Sequence, residues 1–329
     1  MSGAEFDISS EPPPASAIGP RRAVIDIGTN SVKLLVAELA GGQIHPVLET
    51  SEQTRLGRGF YQSHRLQADA IEASLEAVRE FARQARKLGA DNIRLIATSA
   101  VRDAQNAADL TTGIQRATGL NVEIITGEQE ADWAFAGVAS NPRLTDQPML
   151  VIDAGGGSTE FIYGRGGHAR FRRSYPLGTV RLLEQWELAD PPSTAQFAAC
   201  QREVNDYLRN HPLSDLRPFL ADRRPPGLKL IGTGGTPAIL ARLQIGLDDY
   251  DRDRIEAVCL TPGDLAGLTN RLWSVPLVAR RRLAGLPPKR ADVILAGALI
   301  YQGMMEVLGF ERLEISTRGL RFAVVAAMA

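Results

Sequence analysis

The apolar positions of this 329-residue chain fall into short runs that end in polar, glycine-containing turns. In the first half, residues 22–28 and 31–39 are predicted to be two strands joined by the turn Gly-Thr-Asn-Ser. Apolar residues at helical spacing then predict one helix that ends at Gly89 and another that is closed by Gly119. Short apolar runs between and after these helices predict further strands, "IRLIATSA" and "NVEIIT", followed by a helix, "EQEADWAFAGVAS". This mixture predicts a layered α/β fold.

The pattern occurs twice. "RAVIDIGTNSVKLLVAEL", from Arg22, and "MLVIDAGGGSTEFIYGRG", from Met149, align at an offset of 127 residues. Each has an apolar strand, an aspartate (Asp26 or Asp153), a glycine turn, a serine and a second apolar strand. "IRLIATSAVRDA" and "LKLIGTGGTPAI" form a second pair in the same order, and the late run "RLEIST" predicts another strand. Two repeats in register predict two similar domains that face each other across a cleft.

The composition of the chain helps to place the domains and argues against several classes of partner. Residues 1–20 are rich in Pro and Ser and contain neither Lys nor Arg, which predicts a disordered tail rather than a secretory signal. We expect a first domain at residues 21–138 and a second at 139–329, whose C-terminal helix could pack back on the first. The net charge of −1 indicates neither nucleic acid nor a membrane as partner, and dispersed Cys and His residues favour a cytoplasmic protein without a Cys or His metal site.

Three consecutive glycines, Gly155, Gly156 and Gly157, stand between two carboxylates, Asp153 and Glu160. A turn of this kind lets the backbone approach an anion closely and point several N–H groups at it. The glycines and the following Ser158 are therefore predicted to bind phosphate, and Asp153 and Glu160 to hold a divalent cation. The alternative is a tight hairpin that merely needs glycine. The spacing is neither that of a P-loop nor that of a dinucleotide-binding turn.

The first-half copy keeps one glycine and adds polar side chains: Gly28, Thr29, Asn30 and Ser31. Their hydroxyl and amide groups are candidates for binding a second phosphate group. Stabilisation of the turn by Asn and Thr is the alternative.

Five segments carry a family resemblance: "DIGTNSVKLLVAE", "ATSAVRDAQN", "ITGEQEADWAFAGV", "DAGGGSTEF" and "YPLGTVRL". In this order they resemble the exopolyphosphatase / guanosine pentaphosphate phosphatase (Ppx/GppA) family, over residues 22–325. The resemblance implies two duplicated ribonuclease-H-like domains of the actin–Hsp70–sugar kinase superfamily around a central cleft. It also implies hydrolysis of a terminal phosphoanhydride with Mg²⁺ and water, Mn²⁺ being the alternative metal, and we expect a homodimer.

The same resemblance assigns roles to individual residues. It implies that Glu130, in "GEQEA", is the general base, although Gln129 departs from the acidic residue usual in the motif and leaves Glu128 as a weaker candidate. Arg102 matches the family's arginine, which could neutralise charge on the transferred phosphoryl group. Without the family, the acidic residues would be read as ordinary enrichment at a helix start, and Arg102 as a surface residue.

Arginines elsewhere are candidate contacts for a long polyanion: Arg55, Arg181, and the run that ends at Arg290. Such a run is otherwise a solvated face. The "GTGGT" segment, residues 232–236, either binds a nucleotide or only shapes the cleft.

Inorganic polyphosphate is the expected substrate. Guanosine pentaphosphate is the alternative, and a kinase of the same superfamily is another. The remaining alternative is a non-catalytic sensor of guanosine tetraphosphate or polyphosphate, which the departures at Gln129 and in the C-terminal "RGLRFAVV" keep open.

Overall fold

The computed structural model describes residues 19–90, 92–220 and 225–328. The tail predicted for residues 1–20 therefore lies almost entirely outside the described residues. Each half of the chain builds one sheet. The elements of the first half are β1 (Arg21–Ile27), β2 (Val32–Ala40), β3 (Gln43–Glu52), α1 (Phe60–Ser63), α2 (Ala68–Lys87), β4 (Asn92–Ala97), α3 (Ser99–Arg102), α4 (Ala107–Thr118), β5 (Val122–Ile124) and α5 (Gly127–Ala139).

The second half has more helices. Its elements are β6 (Met149–Ala154), β7 (Thr159–Arg165), β8 (His168–Tyr175), α6 (Thr179–Gln185), α7 (Thr194–Leu208), α8 (Ser214–Leu220), β9 (Lys229–Thr233), α9 (Gly235–Ile245), α10 (Arg252–Glu256), β10 (Cys259–Leu260), α11 (Pro262–Trp273), α12 (Leu277–Arg280), α13 (Ile294–Leu308), β11 (Leu313–Ser316) and α14 (Leu320–Ala327). A π-helical turn, Arg209–Leu213, follows α7, and a short 3₁₀ turn, Pro288–Arg290, precedes α13.

The two sheets share one topology. The first has the strand order β3-β2-β1-β4-β5, and the second repeats it as β8-β7-β6-β9-β11, with β10 added at the β11 edge. In both, the first three strands of the half are antiparallel and the later two run parallel to the first strand. The predicted duplication and α/β fold class are confirmed.

Most predicted elements form where the pattern placed them. β1 and β6 are buried along most of their length, as expected for central strands covered on both faces. The predicted helix ends hold: α4 ends at Gly119, which adopts the left-handed conformation that favours glycine, and α2 ends just before Gly89, at φ +77°. The helices of the described part of the chain include none both long and apolar enough to cross a membrane.

Among the strands that sequence reasoning missed are β3 and β8. Both lie at sheet edges, and most of their side chains are at least partly exposed. An edge strand with one solvated face needs few apolar residues, and β3 also contains Pro46 and a register shift opposite Val36 and Ala37. These strands therefore lack the apolar runs that marked the central ones.

Two helices cross between the halves. α5 packs on the second sheet, where Ala131 and Phe135 contact Val151 and Ile162 in one buried cluster. α14 packs on the first sheet, in a cluster that includes Val24, Leu35, Leu320 and Phe322.

α5 and α14 are in close contact with each other. A methyl group on Gly137 of α5 would overlap the backbone of Gly319, which precedes α14. The domain boundary expected between residues 138 and 139 therefore falls at the end of α5, a helix that packs on the second sheet.

Candidate active site

The two glycine turns face each other between the sheets. A hydrogen bond from Gly28 N to Ser31 O, at 3.1 Å, closes the first turn, and one from Gly155 N to Ser158 O, at 2.9 Å, closes the second. A methyl group on Gly156 would lie 2.9 Å from Thr29 Cβ, so the turns are in van der Waals contact. Together they border a small cavity of about 80 Å³.

Most of the predicted site residues line this cavity. They are Gly28, Thr29, Asn30, Ser31, Glu130, Asp153, Gly155, Gly156, Gly157, Ser158, Glu160 and Arg290. Arg55, Arg102 and Arg181 are not among the lining residues. The fold thus brings residues of both repeats together with Glu130, which lies at the start of α5.

Gly157 is the most crowded position of the second turn. A methyl group there would lie 2.9 Å from Thr29 Oγ1 and would overlap the Tyr61 hydroxyl and Ser99 Oγ. Three hydroxyl groups from the first half therefore approach the backbone of the second at this residue. A close approach of this kind is what glycine permits.

Charged side chains lie beside both glycine turns, at the ends of the paired strands that each turn joins. Asp153 lies directly across from Glu160 in the β6–β7 pair. Asp26 lies across from Lys33 in the β1–β2 pair, with Lys33 Nζ 3.6 Å from Asp26 Oδ2. Glu160 is fully buried and accepts a hydrogen bond of 2.7 Å from Ser174 Oγ.

Burial and mutual repulsion raise the pKa values of three of these groups. Burial, and to a lesser degree the charges of Asp26 and Asp153, raises the pKa of Glu130 to about 7, despite a neighbouring arginine. Burial raises the pKa of Asp153 to about 6, against the lowering effect of Lys33. The pKa of Glu160 is raised well above its ordinary value by burial and by the charges of Glu130 and Asp153.

Glu130 and Glu128 have different surroundings, although both lie in the first turn of α5. Arg102 Nη1 lies 3.2 Å from Glu130 Oε2 and also donates to Ile125 O, at 3.1 Å. The side chain of Glu130 is 14% exposed, whereas that of Glu128 is 74% exposed and has only a 4.0 Å ion pair with Arg172. Arg102 contacts the candidate base and lowers its pKa.

The residues present fit a magnesium ion held in part by its substrate. Within residues 19–90, 92–220 and 225–328, no three His, Cys, Asp or Glu side chains are grouped to hold a metal ion. Asp153 and Glu160 nevertheless offer carboxylate oxygens from adjacent strands, and the buried Asp26 Oδ1 has no hydrogen-bond partner among the described residues. Mg²⁺ commonly binds through one or two carboxylates, several waters and substrate phosphates, and this donor set suits that mode.

The three candidate polyanion arginines have different positions. Arg290 Nη2 donates to Ser31 Oγ at 3.0 Å, and burial lowers the pKa of Arg290 to about 10. Arg181 Nε donates to Gly157 O at 3.0 Å, and its guanidinium lies 4.2 Å from the centre of the Tyr61 ring. Arg55 pairs with Asp292 at 2.8 Å.

The "GTGGT" segment forms the end of β9 and the start of α9, against the cleft. Gly234 has φ +89°, and a methyl group there would overlap Asp153 Oδ1. Gly234 and Gly235 of this segment also line a second cavity, of about 750 Å³. The two cavities share four lining residues: Lys33, Gly235, Ile239 and Arg290.

Sequence reasoning missed several residues of the site, among them Lys33, Asp26 and Tyr61. Lys33 and Asp26 both lie within the repeat, and Lys33 aligns with Glu160 at the same offset of 127 residues, so the repeat itself carried this signal. Tyr61 had no comparable signal, because a single tyrosine in a polar segment is not distinctive.

Comparison with known proteins identifies the family. The sequence profile of the Ppx/GppA phosphatase family matches residues 35–329. Exopolyphosphatase 2 of Mycobacterium tuberculosis is 30% identical over 326 residues, covering 94% of this chain and 98% of that protein. The Ppx/GppA enzyme of Aquifex aeolicus is 31% identical, with a TM-score of 0.76 over 93% of this chain and 99% of that one.

A second solved structure supports the fold alone. An exopolyphosphatase from Cytophaga hutchinsonii, at 24% identity, superposes with a TM-score of 0.84 over 94% of this chain and 97% of its own. The duplicated sheets are those of the actin-like fold. On the extent of the profile match and of the sequence identity, this chain belongs to the Ppx/GppA phosphatase family.

Proposed function

We propose that this protein is an exopolyphosphatase, which hydrolyses the terminal phosphoanhydride of inorganic polyphosphate and releases phosphate. The observation that carries the proposal is the closure of two glycine turns on one small cavity that also contains the buried carboxylate of Glu130. We infer that this small cavity, of about 80 Å³, receives the end of the phosphate chain. The relatives named exopolyphosphatase support the same substrate.

In this proposal the backbone N–H groups of Gly155, Gly156 and Gly157 bind the terminal phosphate. The polar turn from Gly28 to Ser31 binds the next phosphate, which belongs to the leaving chain. Lys33 and Arg290, which both line the cavity, offset the charge that develops on the leaving oxygen.

Glu130 is the proposed general base. It takes a proton from a water molecule as the water oxygen attacks the terminal phosphorus, while the bond from that phosphorus to the bridging oxygen breaks. The charge of Arg102 favours the ionised carboxylate, which is the form that can accept a proton.

Asp153 and Glu160 would hold Mg²⁺, with Mn²⁺ as the alternative. When bound, the ion would supply positive charge that screens the phosphates and the leaving group. Cytoplasmic location and homodimerisation stay predictions.

The test is phosphate release from polyphosphate by the wild-type protein and by Glu130→Gln. We expect kcat to fall by about 10²–10⁴, the range typical for loss of a general base, with KM unchanged or lower because a negative charge is lost. Glu128→Gln is the matched control, because Glu128 is exposed and should be nearly neutral. Loss of activity in Glu128→Gln with normal Glu130→Gln would move the base to Glu128.

The second cavity favours guanosine pentaphosphate as a second candidate substrate. This cavity adjoins the first and includes Tyr250, whose half-exposed ring could stack on a base, and the carboxylates Glu49 and Glu52. Phosphate release measured side by side on polyphosphate, guanosine pentaphosphate and ATP separates the candidates. Binding of polyphosphate or guanosine tetraphosphate without any release would instead favour a sensor.

A further inference from the structure

Arg280 is a buried arginine outside both cavities. It ends α12, and only 2% of its surface is exposed. Its guanidinium donates to three backbone carbonyls: Nε to Leu272 O at 3.0 Å, Nη2 to Val275 O at 2.9 Å and Nη1 to Ala291 O at 2.8 Å. The nearest carboxylate, that of the half-exposed Asp190, is 3.8 Å away. The planar guanidinium spreads its donors over three nitrogens in a fixed geometry, so it reaches three separate carbonyls here, whereas lysine would have to serve them from a single nitrogen.

The bond to Ala291 is the one that bears on the active site. Ala291 lies between Arg290, whose Nη2 reaches Ser31 Oγ in the first half at 3.0 Å, and Asp292, which pairs with Arg55 at 2.8 Å. Lys289, one residue earlier, pairs with Glu52. Residues 289–292 therefore bridge the two halves, and Arg280 holds their backbone from the interior of the second.

We propose that Arg280 is a positioning residue, which places the Arg290 guanidinium for contact with the phosphate chain next to the scissile bond. This inference rests on the proposed function. The bonds to Leu272 O and Val275 O satisfy carbonyls at the end of α11, which is a structural role, whereas the bond to Ala291 O reaches the segment that presents Arg290. Through these bonds the Arg280 guanidinium joins the end of α11 to residues 289–292, the segment that presents Arg290.

A double-mutant cycle tests the inference. We expect Arg290→Ala to raise KM for polyphosphate by about 10-fold, as for a lost charge-assisted hydrogen bond. Arg280→Lys should raise KM by about 5-fold with kcat within about 2-fold, because Arg290 is displaced but present. In the Arg290→Ala background the same change should alter KM by less than about 2-fold, since residues that act through one contact are not additive.

Equal effects of Arg280→Lys in both backgrounds would overturn the inference, because they would show a role independent of Arg290. An unchanged KM in Arg280→Lys would do the same. Arg271→Lys is the matched control: Arg271 is exposed on α11 and lines neither cavity, so KM should not change. Far-ultraviolet circular dichroism establishes that each variant is folded at the assay temperature.

If Arg280→Lys does not fold, Pro288→Gly replaces it. Pro288 is exposed and begins the 3₁₀ turn that carries Arg290, so glycine there should loosen this turn. The effect of Pro288→Gly on KM should likewise vanish in the Arg290→Ala background.

The same cycle, measured as the Kd for tripolyphosphate by calorimetry, separates this inference from the proposed function. If the wild type binds but releases no phosphate, the hydrolase proposal fails, whereas non-additive Kd values would still support the positioning role. An unchanged Kd and KM in Arg290→Ala would overturn it.

Discussion

Lys33 and Glu160 occupy equivalent positions in the two halves of the molecule. Each lies directly across an antiparallel strand pair from the aspartate that ends the first strand of its sheet, Asp26 for Lys33 and Asp153 for Glu160. The duplicated frame is thus the same, but the charge at this point is opposite. Lys33, from the first half, lies near Asp26 of its own half and Asp153 of the other, and its positive charge lowers the pKa of Asp153.

Replacing Lys33 with a neutral residue should weaken substrate binding. Lys33→Met keeps the length of the side chain but removes its charge from a cavity that must receive a polyanion. We expect KM for polyphosphate to rise by about 10-fold or more, the scale of one partly buried charge-assisted contact.

Lys87→Met is the control, because Lys87 is exposed at the end of α2, outside both cavities. Steady-state kinetics at fixed Mg²⁺ concentration measures the difference. A normal KM in Lys33→Met would show that Lys33 serves only to pair with Asp26.

The crowding at Gly157 gives the second prediction. Gly157→Ala would place a methyl group against Tyr61, Ser99 and Thr29, so the second turn must move away from the first half. Because displacements of about 1 Å can cost about 10² in rate, we expect kcat/KM to fall by at least that factor.

Gly267→Ala is the control for the second prediction. Gly267 lies inside α11 with no atom within 4 Å of the added methyl group, and alanine favours a helix there. This variant should be active and slightly more stable to heat. Full activity in Gly157→Ala would show that the turns need not touch during catalysis.

The sequence predicted the frame of the site better than its electrostatics. The two glycine turns and the strands before them were evident because apolar runs end at the same motif in both halves. Arg280 and Arg290 show the limit: they lie in one basic run, yet Arg280 binds carbonyls in the interior and Arg290 reaches the cleft. A run of charges along the chain does not reveal which side chains the packing encloses. Likewise, nothing in the sequence pattern indicated that α5 packs on the opposite sheet.

The third prediction concerns stability and pH in the metal-free protein. Burial raises the pKa of Glu130 from an ordinary 4.5 to about 7. Between these pH values the folded state binds more protons than the unfolded state, so this group's contribution to stability is lost as pH rises through about 7. Glu130→Gln should therefore gain stability relative to wild type, by on the order of 3 kcal/mol between pH 4.5 and pH 8.

Urea unfolding of both proteins across this pH range measures that difference. Taking it against wild type cancels the carboxylates whose pKa values are lowered, such as Glu80 and Asp264. A constant difference from pH 4.5 to pH 8 would show that Glu130 titrates normally in the folded protein.

The last prediction joins Arg102 to the pH dependence of catalysis. If Glu130 must be ionised to accept a proton, kcat/KM should rise with pH through about 7, the pKa of that group. Arg102, at 3.2 Å, lowers this pKa, so Arg102→Gln should move the rising limb to higher pH by about one unit. At pH 9, where the carboxylate is ionised in both proteins, most of the lost activity should return.

Arg172→Gln provides the comparison for Arg102→Gln. Arg172 pairs with the exposed Glu128, so its replacement should leave the rising limb of the pH profile in place. A pH profile for Arg102→Gln that is lower at every pH but not displaced would assign Arg102 to the phosphate rather than to the base. In that case the salt bridge to Glu130 would be a feature of the substrate-free protein, which the incoming phosphate replaces with its own contact to the guanidinium.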